Sequence, residues 1–145
     1  MKRSLFLLFS LFFVVVSARA QTLSGTFPAQ ANQTITLEGA KGLDTYSIGS
    51  TKADEKGQFT LSYASGDYGI AFLSGEDKQP FVVILEKEGV KLEGKALNEA
   101  ATIRILEGKE NRSFEQYTQE QGKREQALSA WGYLQNLYQN DPLFA

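Results

Sequence analysis

Neither cysteine nor histidine occurs among the 145 residues of this chain, and this double absence excludes most side-chain chemistry on which enzymes depend. Thiol nucleophiles, disulfide exchange and imidazole acid/base catalysis each need one of these residue types. Most zinc sites and haem ligation need them as well. We therefore predict no catalytic residue, no metal site and no cofactor within the chain.

The charge balance is acidic rather than basic. The first 20 residues carry three basic side chains and no acidic ones, so the remainder holds 12 basic against 17 acidic residues, a net charge of −5. Nucleic-acid-binding proteins present a basic face, and anionic lipid attracts basic segments. The sequence therefore predicts no nucleic-acid partner and no attraction to an anionic membrane surface.

The chain opens with the three-part pattern of a secretory signal peptide. A basic Met1-Lys2-Arg3 precedes an apolar run from Leu5 to Val16, and Ala18-Arg19-Ala20 supplies small residues for cleavage. The apolar run is about 12 residues long, whereas a spanning helix needs roughly 20. We expect cleavage after Ala20 and a protein exported to a periplasmic or extracellular-facing compartment. It should be soluble there, with no membrane attachment.

A period of two dominates from Thr22 to Leu106 and predicts about eight short strands. Phe59-Thr60-Leu61-Ser62-Tyr63 places three apolar side chains on one face and two hydroxyls on the other. Similar alternation occurs at Leu23/Gly25/Phe27, Ile35/Leu37, Tyr46/Ile48, Tyr68/Ile70/Phe72, Val90/Leu92 and Ile103/Ile105. We predict that residues 21–108 form a mainly β domain, an antiparallel β-sandwich or barrel-like fold.

One strand and two turns have their own signatures. Phe81 to Leu85 is apolar throughout, which predicts burial on both faces. Asp54-Glu55-Lys56-Gly57 and Glu86-Lys87-Glu88-Gly89 each place a glycine where the next strand begins, which is typical of tight hairpins. We interpret the acidic residues of both turns as solvated rather than ligand-binding.

Residues 109–145 are predicted to be a helical connector. Ser113-Phe114-Glu115-Gln116 matches a capping box, so we expect the helix to begin there, with Asn111 and Ser113 as helix-start residues. Gly122 favours a kink, and Asn140-Asp141-Pro142 a stop.

An apolar stripe follows the second half of this helix through Ala127, Leu128, Trp131, Leu134, Leu137 and Tyr138. An amphipathic helix with large aromatic side chains must bury them against something. One alternative is that the stripe folds back on the β domain. The other, which we favour because the chain ends on the apolar Leu143-Phe144-Ala145, is truncation before the natural partner. Trp131, Leu134 and Tyr138 are the candidate docking surface.

The segment from Gly25 to Leu106, with Gly57-Gln58-Phe59, the strand from Tyr68 to Leu73, and the hairpin formed by Phe81 to Leu85 and Gly89 to Gly94, resembles a known domain. That β-rich domain of unknown function stands at the N-terminus of secreted TlpA-like, thioredoxin-fold thiol:disulfide oxidoreductases. Glu110 to Tyr117 and Trp131 to Phe144 resemble the helical connector of such proteins.

The resemblance implies a non-catalytic accessory module that positions or docks a thioredoxin-like domain C-terminal to it. The family's redox-active Cys-x-x-Cys would lie beyond Ala145, so no catalytic residue carries over to this sequence.

Two further functions stay open. The aromatic residues of the β region also suit a free-standing binding module for a glycan or a protein partner; they are Tyr46, Tyr63, Tyr68, Phe72 and Phe81. Most should lie in the core, and Tyr46 and Tyr68, near loops, are the least certain. An enzyme without histidine or cysteine would need paired carboxylates or a Ser/Lys pair, and no spacing selects either.

Overall fold

A computed structural model describes residues 20–138. The strands are β1 (Gln21–Thr26), β2 (Thr34–Lys41), β3 (Asp44–Lys52), β4 (Gln58–Tyr63), β5 (Gly69–Ser74), β6 (Phe81–Leu85), β7 (Val90–Glu93) and β8 (Arg104–Glu107), and one helix, α1 (Lys109–Leu137), follows them. The predictions for the signal peptide and for the chain end at Asn140 to Ala145 fall outside the described residues.

The eight strands form two four-stranded sheets packed as a sandwich. Their orders are β4-β1-β7-β8 and β3-β2-β5-β6, so the mainly β prediction is confirmed, as a sandwich and not a closed barrel. β1 and β7 pair in parallel, whereas the other strand pairs among residues 20–138 are antiparallel. The first sheet is therefore mixed, where the sequence predicted antiparallel pairing throughout.

The core lies between the sheets and follows the period-two pattern. In β4 the apolar Phe59, Leu61 and Tyr63 are buried while Thr60 and Ser62 are exposed. The largest fully buried side chains are Phe27, Leu23, Ile35, Leu37, Leu73, Leu85, Leu92, Leu97 and Val83. No disulfide contributes to this domain, since the chain has no cysteine, so apolar burial is the main stabilising term.

Two strand predictions were wrong in detail. β6 is not buried on both faces: Val83 and Leu85 are buried but Val82 is exposed, because the outer face of its sheet is open. In β5 the inward residues are Ala71 and Leu73, and Ile70 is 55% exposed. Both alternating sets of β5 are largely apolar, so the pattern could not select the inward face.

The two predicted hairpin turns connect different sheets instead. Residues 54–57 link β3 to β4, and residues 86–89 link β6 to β7. Gly57 has φ +74°, and a Cβ there would lie 1.9 Å from the carbonyl oxygen of Phe27, so only glycine fits. The tight hairpin of the second sheet is formed by Gly42 and Leu43, between β2 and β3.

Helix α1 differs from its prediction at its start and at its middle. It begins at Lys109, four residues before Ser113, and it continues through Gly122 to Leu137 without interruption. At about 1.5 Å per residue its 29 residues span about 43 Å. Among residues 20–138, no helix combines the length and the hydropathy needed to cross a membrane.

Candidate docking helix and its anchor

Helix α1 starts against the turn that follows β6, where Glu86 caps it. The Glu86 carboxylate accepts hydrogen bonds from the backbone N–H groups of Lys109 at 2.8 Å and Glu110 at 3.0 Å. The first N–H groups of a helix have no partner within the helix, and a negative charge there is favourable for the helix dipole. Glu86 is therefore a helix cap, and its interpretation as a solvated turn residue was wrong.

Asn111, in the first turn of α1, pairs with the edge of the second sheet. Its Oδ1 accepts from the backbone N–H of Ile84 at 2.8 Å, and its Nδ2 donates to the carbonyl of the same residue at 2.7 Å. The Nδ2 group also donates to the Glu86 carboxylate at 3.2 Å. The side-chain amide thus pairs with the backbone of β6 as a neighbouring strand would, and it covers the open sheet edge at Ile84.

Burial makes these Asn111 contacts strong determinants of the helix position. Asn111 is 4% exposed, one of two buried polar residues in the described part of the chain. Buried polar groups that lose their partners cost about 1–3 kcal/mol each. A different tilt or register of α1 would leave this amide unsatisfied, so the orientation of the first helical turns is fixed.

Tyr63 connects the same turn to the first sheet. Its hydroxyl donates a hydrogen bond to the carbonyl oxygen of Glu86, and its ring meets that of Tyr68 edge-on at 6.3 Å between centroids. Burial raises the pKa of the Tyr63 phenol above its ordinary value, and the backbone hydrogen bond opposes part of that rise. The backbone of Glu86 is therefore hydrogen-bonded to the first sheet, while its side chain is hydrogen-bonded to the start of α1.

A groove of about 440 Å³ lies between the start of α1 and the adjacent sandwich edge. Phe81, Ile103 and Ile105 contribute apolar lining, and Phe114 of the helix lies along it. Phe114 remains partly exposed. The helix therefore contacts the sandwich around its first turns, and among the strands β6 is the one with which it has most contact.

The predicted docking residues lie together on one side of the distal helix. Trp131, Leu134 and Tyr138 are 64%, 45% and 37% exposed, and their spacing of three and four residues places them on one face. We call these three residues the distal face. The alternative in which this stripe folds back on the β domain was wrong, because the side chains are not buried there. Their docking role stays a prediction.

Apolar exposure on the distal helix is not confined to that face. Tyr133 lies about 200° around the helix from Trp131, at 100° per residue, and is also exposed. Leu128 and Leu137 are exposed as well. Tyr133 thus offers a matched control on the opposite side of the same helical turns.

Sequence reasoning placed Asn111 at the start of the helix but missed its partner on β6, and it missed the capping role of Glu86. Glu86 lies 23 residues before Lys109, so no local capping pattern could reveal it. Asn111 did carry a signal: asparagine is unfavourable inside a helix, and the structure gives it a specific partner on a strand. The capping box at Ser113 misplaced the start because the cap comes from another part of the chain.

No cluster of three or more acidic side chains that could hold a metal ion occurs in the described part of the chain. The chain matches no family model, no curated protein and no solved structure. The resemblance to the N-terminal region of TlpA-like proteins therefore stays a prediction.

Proposed function

We propose that this chain is a non-catalytic accessory module of an exported thioredoxin-like thiol:disulfide oxidoreductase, and that α1 positions the redox domain. The observation that carries the proposal is the form of α1. It is anchored at its start by Glu86 and Asn111, and it carries exposed apolar side chains about 30 Å further along, at 1.5 Å per residue.

A helix fixed at one end is suited to hold a second body at a set distance. The anchor restrains the first turns, and the uninterrupted helix transmits that orientation to Trp131 and Leu134. Large aromatic and aliphatic side chains are the residue types that anchor protein interfaces. The distal face therefore supplies contact area, while the sandwich supplies a rigid base.

The redox step belongs to the partner in this proposal. A thioredoxin-like site needs a cysteine whose lowered pKa makes it a thiolate, and a second cysteine that resolves the mixed disulfide. This chain has no cysteine. Its contribution is therefore to place the partner's reactive thiols, and the choice of a thioredoxin-like partner rests on the sequence resemblance.

Calorimetric titration with a TlpA-like thioredoxin-fold domain tests the proposal. We expect saturable binding that Trp131→Ala and Leu134→Ala each weaken at least about tenfold, as truncation of a central interface residue does. Tyr133→Ala, on the opposite side of the helix, should change the affinity less than about twofold.

If Trp131→Ala and Tyr133→Ala have the same effect, or if the domain does not bind, α1 is not the docking element for such a domain. Circular dichroism of each variant separates lost docking from lost helix, because these exposed side chains make little contact with the sandwich.

A further inference from the structure

Phe72 occupies an unusual place on the outer face of the second sheet. In β5 the inward positions are taken by Ala71 and Leu73, so Phe72 points outward. Its cross-strand neighbours are Glu38 on β2 and Val82 on β6. The solvated face of an antiparallel sheet normally carries polar residues. The prediction that most β-region aromatics lie in the core was therefore wrong for Phe72.

Phe72 lines an open groove of about 670 Å³, a volume within the range of small-molecule sites. Hydroxyl groups line it from β2, β3 and β5; they belong to Thr34, Thr36, Thr45 and Ser74. Carboxylates of Glu38 and Glu76 and the ammonium of Lys78 complete the polar lining. The groove thus combines one aromatic ring with many hydrogen-bonding groups.

The wall of the groove is already ordered by hydrogen bonds. In the loop between β5 and β6, the N–H of Lys78 donates to the carbonyl of Gly75 at 3.1 Å. The carboxylate of Glu76 accepts from the N–H of Thr34 at 3.2 Å. A ligand would therefore meet a largely preformed shape, which lowers the entropic cost of binding.

Several polar groups of the groove remain available to a ligand. Within residues 20–138, the Glu38 carboxylate and the Lys78 ammonium form no ion pair, and the Thr36 and Ser74 hydroxyls form no hydrogen bond with another protein group. Thr36 and Ser74 are directly paired across β2 and β5. They lie next to the row that contains Glu38 and Phe72, so donors and acceptors border the ring.

We propose that this groove binds a pyranose unit of a neutral oligosaccharide. A glucose-type ring has equatorial hydroxyls and exposes C–H groups on its faces, and such a face packs against the Phe72 ring. Its peripheral hydroxyls meet Glu38 and the Thr36/Ser74 pair. Two carboxylates against one ammonium disfavour a phosphate ligand, and covering the Thr36 and Ser74 hydroxyls without a hydrogen-bond partner disfavours a purely apolar one.

Titration of the ¹⁵N-labelled protein, followed by amide chemical shifts, tests this site with cellotetraose and maltotetraose as probes. We expect saturable shifts at Glu38, Phe72 and Ser74 with one or both sugars. The two probes distinguish a β-linked from an α-linked glucan. About 10 mM sugar suffices to detect the millimolar affinities of weak sites.

Substitutions at Phe72 and Ile70 test which side chain contributes to sugar binding. Phe72→Ala and Phe72→Leu should each weaken binding at least about tenfold, because the aromatic face is lost in both. Phe72→Leu retains apolar volume and guards against simple unfolding. Ile70→Ala, on the same strand and face but outside the groove lining, should stay within about twofold of wild type.

Absence of shifts with both sugars would overturn the proposal, as would shifts that map away from Phe72 or an affinity that both Phe72 variants leave unchanged. The distal face of α1 takes no part in this site. The two proposals therefore fail independently: Trp131→Ala should leave sugar binding unchanged, and Phe72→Leu should leave binding of a thioredoxin-like domain unchanged.

Discussion

Tyr63 and Glu86 link the two sheets and the helix through a small number of contacts. The Tyr63 hydroxyl donates to the Glu86 carbonyl, and the Glu86 carboxylate accepts from the first N–H groups of α1. Tyr63 is almost fully buried and belongs to the core. Removal of its hydroxyl should therefore affect both the β6–β7 turn and the start of α1.

The raised pKa of Tyr63 predicts a loss of stability at alkaline pH. Burial favours the neutral phenol in the folded protein, so above the ordinary pKa of 10.0 the unfolded chain releases its proton first. The folded state then binds more protons, and stability falls as pH rises. The contribution of Tyr63 is complete below pH 10 and is lost as the pH passes through the raised value.

Urea unfolding between neutral pH and about pH 11 checks this expectation with Tyr63→Phe. The variant should lose about 1 kcal/mol at neutral pH, the net value of one hydrogen bond, and its stability should fall less steeply above pH 10. Tyr133→Phe removes an exposed hydroxyl and should leave stability at neutral pH unchanged. An alkaline slope identical in Tyr63→Phe and wild type would contradict the argument.

The orientation of α1 depends on its anchor, the contacts of Glu86 and Asn111 at its start. Asn111→Ala removes both hydrogen bonds to Ile84 and leaves the backbone groups of an edge strand unpaired. We expect a loss of about 1–3 kcal/mol in the free energy of unfolding. We also expect a wider range of helix orientations relative to the sandwich.

Spin labels measure that range directly, since the chain has no cysteine of its own. Lys52→Cys on β3 and Gln126→Cys on α1 are exposed positions. The distribution of distances between the labels should be narrow in the parent and broad in Asn111→Ala and Glu86→Ala. Glu88→Ala, in the same turn, is the matched control, because no hydrogen bond or ion pair joins Glu88 to α1 within residues 20–138. A distribution as narrow in Asn111→Ala as in the parent would refute the anchor.

The elements themselves could largely be predicted from sequence, whereas their connections could not. Alternation such as that of Phe59 to Tyr63 marked the strands because one face of each is buried and the other is not. The inward face of β5 was ambiguous because both of its faces are apolar. Which turns cross between the sheets, and where α1 begins, depend on contacts such as Glu86 with Lys109, between residues distant in sequence.

The candidate docking residues could also be predicted from the sequence, whereas the groove could not. Trp131, Leu134 and Tyr138 could be identified from helical spacing alone, and the structure brings them to one exposed face. Phe72 was one of five aromatic candidates for a binding module, but the sequence could not single it out, because a phenylalanine that alternates with apolar neighbours is usually a core residue. Only the pairing of β5 with β2 and β6 places that ring among hydroxyl groups.

Residues 20–138 form a sandwich without disulfides and one long helical arm. The sandwich contains the buried core, while the arm carries a concentration of exposed aromatic and aliphatic side chains. Exposed apolar patches of this kind mark interaction surfaces. In the proposed function, the arm presents its distal face to a thioredoxin-like domain and holds that domain at a fixed distance from the sandwich.

Trp131 fluorescence reports on this docking without interference from other residues, because Trp131 is the only tryptophan in the chain. Its emission and its quenching by iodide would be followed while a tryptophan-free variant of a TlpA-like thioredoxin domain is added. We predict that emission shifts to shorter wavelength and that iodide quenching falls as the indole is buried. Emission and quenching that stay unchanged at the highest domain concentration would contradict a docking role for the distal face.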